Sequence, residues 1–261
     1  MIYTHNIDPI MIEILSFKLY WYGFMYVLSF LIIDYLIIFD SKNKKIVLSN
    51  DTAEKFTLII LIFAIIGGRL GYILFYGLSH YISNPSEIFA IWQGGMSFHG
   101  GLLGALLGSY YFSIKTKKSL FEITDIVTFY APIGLFFGRI GNFINSELYG
   151  LQTDGTWGVI FTRVDNIVRH PSMLYESFLE GIVLFIILLK LRDKKPDSGI
   201  LTACFLVMYG IFRSLVEFVR VPDYHIGYLY FNWVTMGHIL SIPMVIFGLV
   251  IFFWKIKWNN T

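Results

Sequence analysis

Ionisable side chains interrupt several long apolar runs of this sequence, and their spacing suits phosphate chemistry. Arg213, Glu217 and Arg220 are spaced four and three residues apart, so in a helix they share one face. Glu217 can pair with either arginine and lower the cost of burying it. A salt-bridged helix face without chemistry is the alternative interpretation of this trio.

A second group lies around Arg139, in the segment 138–143 with Gly138, Gly141 and Asn142, followed by Glu147. A guanidinium offers a planar fork of donors that matches phosphate, and an asparagine adds an orientable donor and acceptor. A helix end capped by glycine would explain the glycines but not the polar residues beside them. The pattern therefore predicts phosphate binding.

His99 lies in the glycine-rich segment 94–101. Imidazole exchanges a proton near neutral pH, which makes it the natural general base. A lone histidine is more often a structural group, so both interpretations stay open for His99. Gly100, Gly104 and Gly108 recur every four residues and predict a close helix–helix contact.

The elements that must position these residues are transmembrane helices. The chain has 261 residues, of which 56% are hydrophobic and 15% are charged, against about 25% charged in soluble domains. About 20 apolar residues span a bilayer. The sequence predicts an all-α integral membrane protein, a single polytopic domain over residues 1–261, with about seven transmembrane helices at 17–39, 56–77, 97–114, 121–139, 173–191, 200–219 and 237–256. The third is short and glycine-rich, and Pro132 interrupts the fourth.

Lysines orient these helices. All of them except Lys18 follow helices one, three, five and seven, at positions 42, 44, 45, 55, 115, 117, 118, 190, 194, 195, 255 and 257. Positive residues accumulate in cytoplasmic segments. The N-terminus is therefore predicted outside and the C-terminus in the cytoplasm. The longest outer connection, 140–172, is predicted to be a small outer-side cap between helices four and five.

Polar groups on five helices reach the same outer level: Tyr22, Arg69, His99, Arg139 and Arg213. An ionisable group within a span costs about 2.5–3.5 kcal/mol and is a functional candidate. We predict a basic cavity at the outer leaflet that suits an anionic lipid headgroup. A transporter would place polar groups through the full depth of the membrane. A phospholipid phosphatase or acyltransferase shares the cavity and remains an alternative, whereas a scaffold leaves the arginines without a purpose.

Other kinds of site have no support in the sequence. Cys204 is the only cysteine, and no metal-ligand spacing, nucleotide-phosphate loop or basic patch for nucleic acid is visible. The sequence therefore predicts no metal, no cofactor and no nucleic-acid partner.

Six stretches, taken in order, resemble the prolipoprotein diacylglyceryl transferase family along nearly the whole chain. They are 21–23, 67–72, 94–101, 138–150, 169–176 and 212–220. The resemblance implies an enzyme of the bacterial cytoplasmic (inner) membrane that performs the first step of lipoprotein maturation. The family transfers the diacylglyceryl group of phosphatidylglycerol to the thiol of the lipobox cysteine in a prolipoprotein signal peptide. A thioether forms and glycerol phosphate leaves.

The resemblance also assigns residues. The catalytic residues of the family fall on His99, Arg139 and Arg213. The residues that it implies for phospholipid binding are Tyr22, Arg69, Arg139, Asn142, Glu147, Gly150, Glu217 and Arg220. Our hypothesis is that His99 takes the thiol proton, that Arg139 and Arg213 neutralise the phosphate, and that Glu217 holds the arginines.

Overall fold

The structure, a computed structural model, is mainly helical and describes residues 1–15, 17–91, 94–222 and 227–259. Its helices are α1 (Trp21–Lys42), α2 (Asn50–Tyr76), α3 (Leu78–Ser83), α4 (Phe98–Thr116), α5 (Leu120–Asn145), α6 (Ser172–Glu176), α7 (Leu184–Arg192), α8 (Ile200–Glu217) and α9 (Met236–Asn259). Its strands are β1 (Ile2–His5), β2 (Ile10–Ile14), β3 (Phe17–Tyr20), β4 (Gly158–Phe161) and β5 (Val168–Arg169). The chain forms two compact units, one of Met1–Ile33 with Thr128–Thr261 and the other of Asp34–Val127.

Six helices in the described part of the chain are long and apolar enough to cross a membrane. They are Trp21–Lys42, Asn50–Phe75, Leu120–Asn145, Ser172–Arg192, Ile200–Glu217 and Met236–Lys255. The predicted multi-pass, mainly helical architecture is confirmed at this level, whereas the all-α class applies only to the spanning part, because five short strands accompany the helices. The remaining predicted span, 97–114, is the helix α4, but glycines and tyrosines lower its hydropathy. The count of seven therefore stays a prediction.

In the unit Asp34–Val127, α2 and α4 pack through glycines. A Cβ atom on Gly100 would collide with the carbonyl oxygen of Gly67, and one on Gly104 would collide with the carbonyl oxygen of Phe63. The predicted small-residue face is confirmed, because the two backbones approach too closely for any side chain between them.

Helix α5 continues past the predicted end at residue 139 and stops at Asn145. The glycines around Arg139 indicated a helix end, but Gly141 serves a close contact instead. A Cβ atom there would lie 2.8 Å from the Cδ2 atom of Tyr22 on α1. Pro132 lies inside α5 without ending it.

The N-terminal strand joins the segment that we predicted as a cap. Strand β1 pairs in parallel with β4, and β4 pairs in antiparallel with β5. A small core of Val159, Phe161 and Met173 lies beside this sheet. Strands β2 and β3 form a separate antiparallel hairpin before α1. The sequence analysis did not predict any of these strands, and the outer-side location of the cap stays a prediction.

The spanning helix Ser172–Arg192 contains a wide, π-helical turn that positions two buried glutamates. The segment Ser177–Val183 is π-helical and joins α6 to α7. A Cβ atom on Gly181 would lie 2.7 Å from the Cβ atom of Phe136, so the wide turn packs closely against α5. Such turns occur frequently at functional sites. Here the turn follows Glu176 and contains Glu180, and both carboxyl groups are fully buried.

Candidate active site

Three helical segments of the unit Met1–Ile33 with Thr128–Thr261 bring together three arginines and three glutamates. Helix α5 contributes Arg139, the α6–α7 segment contributes Glu176 and Glu180, and the end of α8 contributes Arg213 and Glu217, with Arg220 three residues beyond that end. We call these six side chains the arginine–carboxylate cluster. Buried charges are stable in proteins only when they are paired in this way.

Glu176 is the centre of the cluster. Its Oε2 atom lies 2.5 Å from Arg139 Nε, and its Oε1 atom accepts a hydrogen bond of 2.7 Å from Arg213 Nη1. Arg220 Nε lies 3.8 Å from the same Oε1 atom. One carboxylate with no solvent exposure therefore contacts the guanidinium groups of three arginines.

Glu217 provides a second bridge within the cluster. Its Oε1 atom pairs with Arg213 Nη2 and lies 3.2 Å from Arg220 Nη1, which donates a hydrogen bond to it. The predicted pairing of Glu217 with both arginines is confirmed, but the single helix face is wrong for Arg220, because α8 ends at Glu217 and Arg220 lies in the bridge that follows. The predicted role of Glu217 in holding the arginines agrees with this geometry.

Glu180 differs from the other two carboxyl groups. It lies at 3.7 Å from Arg139 Nη2, and both of its oxygens are buried without a hydrogen-bond partner in the described part of the chain. Arg139 therefore has a close carboxylate on one side and a looser one on the other.

The charge of the cluster differs from the basic cavity that we expected. Three arginines face three glutamates, so the formal charges of the six ionised side chains cancel. The carboxylates orient the guanidinium groups before any ligand binds. An anion that reaches the arginines must then compete with these carboxylates for the same N–H donors.

The end of α5 holds a second polar group in the same unit. Asn142 Nδ2 donates to Glu147 Oε2 over 3.1 Å, and Asn145 Nδ2 donates to Glu147 Oε1 over 3.2 Å. Tyr22 lies against this end of α5, and its hydroxyl is 3.0 Å from the hydroxyl of Tyr26. The predicted residues Tyr22, Asn142 and Glu147 thus collect where α5 ends.

Gly150 connects this segment to Arg220. Its N–H donates to the carbonyl of His170 over 2.8 Å, and Gly150 forms an antiparallel bridge with Arg220. A Cβ atom on Gly150 would lie 2.5 Å from that His170 oxygen and 2.6 Å from the carbonyl oxygen of Val219. Only glycine fits between these two backbone segments.

Arg169 supports the same bridge from outside the spanning segments. Its Nη1 atom donates to the carbonyl of Gly150 over 3.4 Å, and its guanidinium carbon lies 5.0 Å from the centre of the Tyr149 ring. The hydrogen bonds from Arg169 to Asp165 lower the pKa of that carboxyl and raise the pKa of Arg169. Arg169 therefore stays charged and in place.

His99 and Arg69 belong to the other unit, Asp34–Val127. His99 is exposed on the first turn of α4, where the Ser97 side chain accepts a hydrogen bond from the N–H of Gly100. Arg69 is buried, and all five of its N–H donors point at carbonyl oxygens. Those acceptors, at 2.5–3.4 Å, belong to residues Glu87, Ile88, Ala90, Gly94 and Gly95.

The sequence analysis gave no role to Glu176, Glu180 or Thr235. Glu176 lies in one of the family-like stretches, and Glu180 is a charge within an apolar run, so both carried a signal. Thr235 carried none, although its hydroxyl donates a hydrogen bond to Glu217 Oε2. In the part of the chain that the structure describes, no three His, Cys, Asp or Glu side chains are grouped so that they could hold a metal ion.

A sequence model of the prolipoprotein diacylglyceryl transferase family matches residues 9–254. The chain belongs to this family. A relative from Pseudomonas paraeruginosa is 44% identical over 97% of this chain and 95% of its own length. Relatives from Pseudomonas fluorescens and Methylococcus capsulatus are 45% and 43% identical, over 95% and 94% of this chain and 93% and 94% of their own lengths. All three are named phosphatidylglycerol–prolipoprotein diacylglyceryl transferase.

Proposed function

We propose that this protein transfers the diacylglyceryl group of phosphatidylglycerol to the thiol of the lipobox cysteine in a prolipoprotein. This is the first step of lipoprotein maturation. The observation that carries the proposal is the arginine–carboxylate cluster, formed mainly by helices that can span a membrane, in a chain of this family.

The reaction exchanges one bond for another. The cysteine sulfur attacks the glycerol carbon that carries the phosphate ester, so that a C–S bond forms while the C–O bond breaks. Glycerol phosphate leaves with the electron pair of the broken bond. Since the thiolate is the nucleophile, a base must take the thiol proton first. We assign this role to His99, directly or through water.

Arg139 and Arg213 would stabilise the charge that grows on the leaving phosphate. Their guanidinium groups are already oriented by Glu176, and Arg213 is held from a second side by Glu217. Donors fixed in advance stabilise developing charge without reorganisation during the reaction. Tyr22, Asn142, Glu147, Gly150 and Arg220 complete the group that we assign to phospholipid binding.

For Arg69 the geometry favours an indirect contribution. Its five donors hold the loop that includes Gly94 and Gly95 and leads to His99. Arg69→Lys removes the planar fork and is expected to lower the unfolding temperature of the protein. A loss of phosphatidylglycerol affinity with unchanged unfolding would instead support direct lipid contact.

The topology completes the proposal. With α4 counted as a span, the protein crosses the bacterial cytoplasmic membrane seven times as one polytopic domain, with its N-terminus outside and its C-terminus in the cytoplasm. The segment 140–172 then forms a cap on the outer side, and the active site lies at the outer leaflet. The lysine distribution supports this orientation.

The test is a transfer assay with purified protein, phosphatidylglycerol and a synthetic lipobox peptide, read by mass spectrometry. We expect one diacylglyceryl group on the peptide cysteine and free glycerol phosphate. Consumed lipid beside an unmodified peptide would support the phosphatase or acyltransferase alternative. Unchanged substrates with folded protein would refute the proposed function.

Variants of Arg139 sharpen this assay. Arg139→Ala is expected to lower kcat by about 10²–10³-fold, as for loss of a donor to developing charge. Arg139→Lys keeps the positive charge but loses the planar fork of donors, so its kcat should lie between those of the wild type and Arg139→Ala. Arg163→Ala is the control, because Arg163 is 41% exposed and pairs with exposed Asp8 at 3.5 Å. Retained activity in Arg139→Ala would remove Arg139 from the site.

A further inference from the structure

Glu217 is held from two opposite sides. Its Oε1 atom faces Arg213 and Arg220, whereas its Oε2 atom accepts the hydroxyl hydrogen of Thr235. Thr235 directly precedes α9, so the start of that helix is tied to the end of α8. The two oxygens of one carboxylate therefore have different and fixed partners.

Gly237 allows this approach. It lies in the first turn of α9, and a Cβ atom at this position would collide with the Glu217 carboxyl group. The backbone of α9 therefore packs directly against the carboxylate that bridges the two arginines. Glu217 is only 4% exposed, so water cannot substitute freely for these contacts.

His238 fixes Thr235 in turn. The N–H of Thr235 lies 3.3 Å from His238 Nδ1 and donates to it, and the N–H of His238 donates to Thr235 Oγ1 over 3.4 Å. This is the reciprocal arrangement of a capping box, with histidine in the position where glutamate or glutamine is usual. Phe218 and Trp233 enclose the imidazole, with ring centres 4.9 and 5.6 Å away.

The hydrogens can be assigned from these contacts. An ionised carboxylate only accepts hydrogen bonds, so the single hydroxyl hydrogen of Thr235 goes to Glu217. His238 Nδ1 also lies 3.1 Å from Thr235 Oγ1, and we assign it as the acceptor for the Thr235 N–H, which places the ring hydrogen on Nε2. The Nε2 atom is buried and has no hydrogen-bond partner among the described residues. The chain of contacts thus runs from His238 through Thr235 to Glu217 and the arginines.

We propose that Thr235 and His238 are positioning residues for the transfer reaction. They fix the rotation of the Glu217 carboxylate, so that one oxygen meets Arg213 and Arg220 and the guanidinium groups keep the orientation that the phosphate requires. The proposal rests on the proposed function. Neither residue touches the reacting atoms in this scheme; both act through Glu217.

The test compares kcat, KM for phosphatidylglycerol and the unfolding midpoint in detergent micelles for matched variants. Thr235→Val keeps the shape and removes the hydroxyl; it should lower kcat by about 10–100-fold, the range for loss of a hydrogen bond to a charged group. Thr235→Ser should stay near wild type. His238→Gln keeps an acceptor for the capping box and should stay within about twofold of wild-type kcat, whereas His238→Leu should lose activity.

A second capping box in the chain provides the control for helix capping alone. Ser119 Oγ accepts from the N–H of Glu122 over 3.1 Å, and Glu122 Oε2 accepts from the N–H of Ser119 over 2.8 Å. Ser119→Ala should lower the unfolding midpoint and leave kcat unchanged. Equal losses of kcat in Ser119→Ala and Thr235→Val would overturn the proposal. So would wild-type kcat in Thr235→Val, or loss of activity in His238→Gln equal to that in His238→Leu.

An unfolding cycle separates this proposal from the proposed function. The variants Thr235→Val, Glu217→Gln and their combination should be non-additive, because the two side chains share a hydrogen bond. If the cycle is non-additive but the wild-type protein makes no diacylglyceryl peptide, the proposed function is refuted and the contact between Thr235 and Glu217 is still supported. Additivity in an active protein would overturn the positioning role.

Discussion

Removal of the Glu176 charge is the most informative perturbation of the cluster. The carboxylate is fully buried and contacts Arg139 at 2.5 Å, Arg213 at 2.7 Å and Arg220 at 3.8 Å. Glu176→Gln has nearly the same volume, so it leaves no cavity. It removes one negative charge from a cluster whose charges cancel, and the cluster then carries one net positive charge.

The free-energy cost of Glu176→Gln depends on which arginines still have a carboxylate partner. Removing one partner of a buried ion pair costs about 3–5 kcal/mol. After the substitution Arg139 still faces Glu180, and Arg213 and Arg220 still face Glu217, so no arginine is left alone. The lower end, about 3 kcal/mol, is therefore expected. At about 1.36 kcal/mol per factor of ten, a loss of this size corresponds to a roughly 150-fold change in an equilibrium or rate constant.

We expect the loss in both stability and kcat. The unfolding free energy in detergent micelles should fall by about 3 kcal/mol. The transfer assay should show a kcat lower by roughly two orders of magnitude. The KM for phosphatidylglycerol should stay the same or fall, because an uncompensated positive charge attracts the anionic lipid while the arginines lose their alignment.

Glu13→Gln is the matched control for this substitution. Glu13 pairs with Lys18 at 3.3 Å, but both side chains are about half exposed. Exposed pairs contribute about 0–1 kcal/mol, so activity and unfolding should hardly change. If Glu176→Gln also behaved like Glu13→Gln in both measurements, the cluster would not orient the arginines, and our account of the site would be wrong.

Three further predictions concern the surroundings of the site. Gly104→Ala should lower the unfolding free energy by about 1–3 kcal/mol, because its Cβ would collide with a backbone carbonyl of α2; Gly101→Ala, whose nearest atom is 3.5 Å away, should be tolerated in the same unfolding measurement. Burial, followed by a smaller repulsion from a nearby arginine, lowers the pKa of His5. The contribution of His5 to the free energy of unfolding is therefore complete above about pH 6.5 and is lost as the pH falls further. The free energy of unfolding of His5→Gln, measured against pH, should not show this loss. Hydrogen bonds from Arg169 lower the pKa of Asp165. The contribution of Asp165 to the free energy of unfolding is therefore complete above about pH 3.9 and disappears as the pH falls through the lowered pKa. The free energy of unfolding of Asp165→Asn should not fall in this pH range.

Much of the fold is predictable from local sequence. Apolar runs of about 20 residues identify helices because the bilayer offers the backbone no other partners. The predicted spans 173–191 and 200–219 differ from Ser172–Arg192 and Ile200–Glu217 by only one or two residues. The prediction for α5 was wrong at its end, because glycine serves both helix ends and close helix contacts, and the sequence alone does not distinguish the two.

The site was only partly predictable, for a reason that depends on sequence distance. Arg213 and Glu217 lie four residues apart on one helix, and Arg220 follows within three residues of its end, so their spacing alone predicts that they meet. Glu176 and Arg213 are separated by 37 residues and meet only because two helices face each other there. A helix that is apolar on all sides carries little information about which face turns inward.

The sequence by itself determined the membrane class, the approximate positions of the helices, the family and the arginines that we propose for the chemistry, because these depend on composition, run length and short-range spacing. Tertiary structure decided which carboxylates hold those arginines, how Thr235 reaches Glu217, and that β1 pairs with β4 across most of the chain. These contacts depend on how whole elements rotate and pack against one another, and no local pattern of residues specifies that rotation.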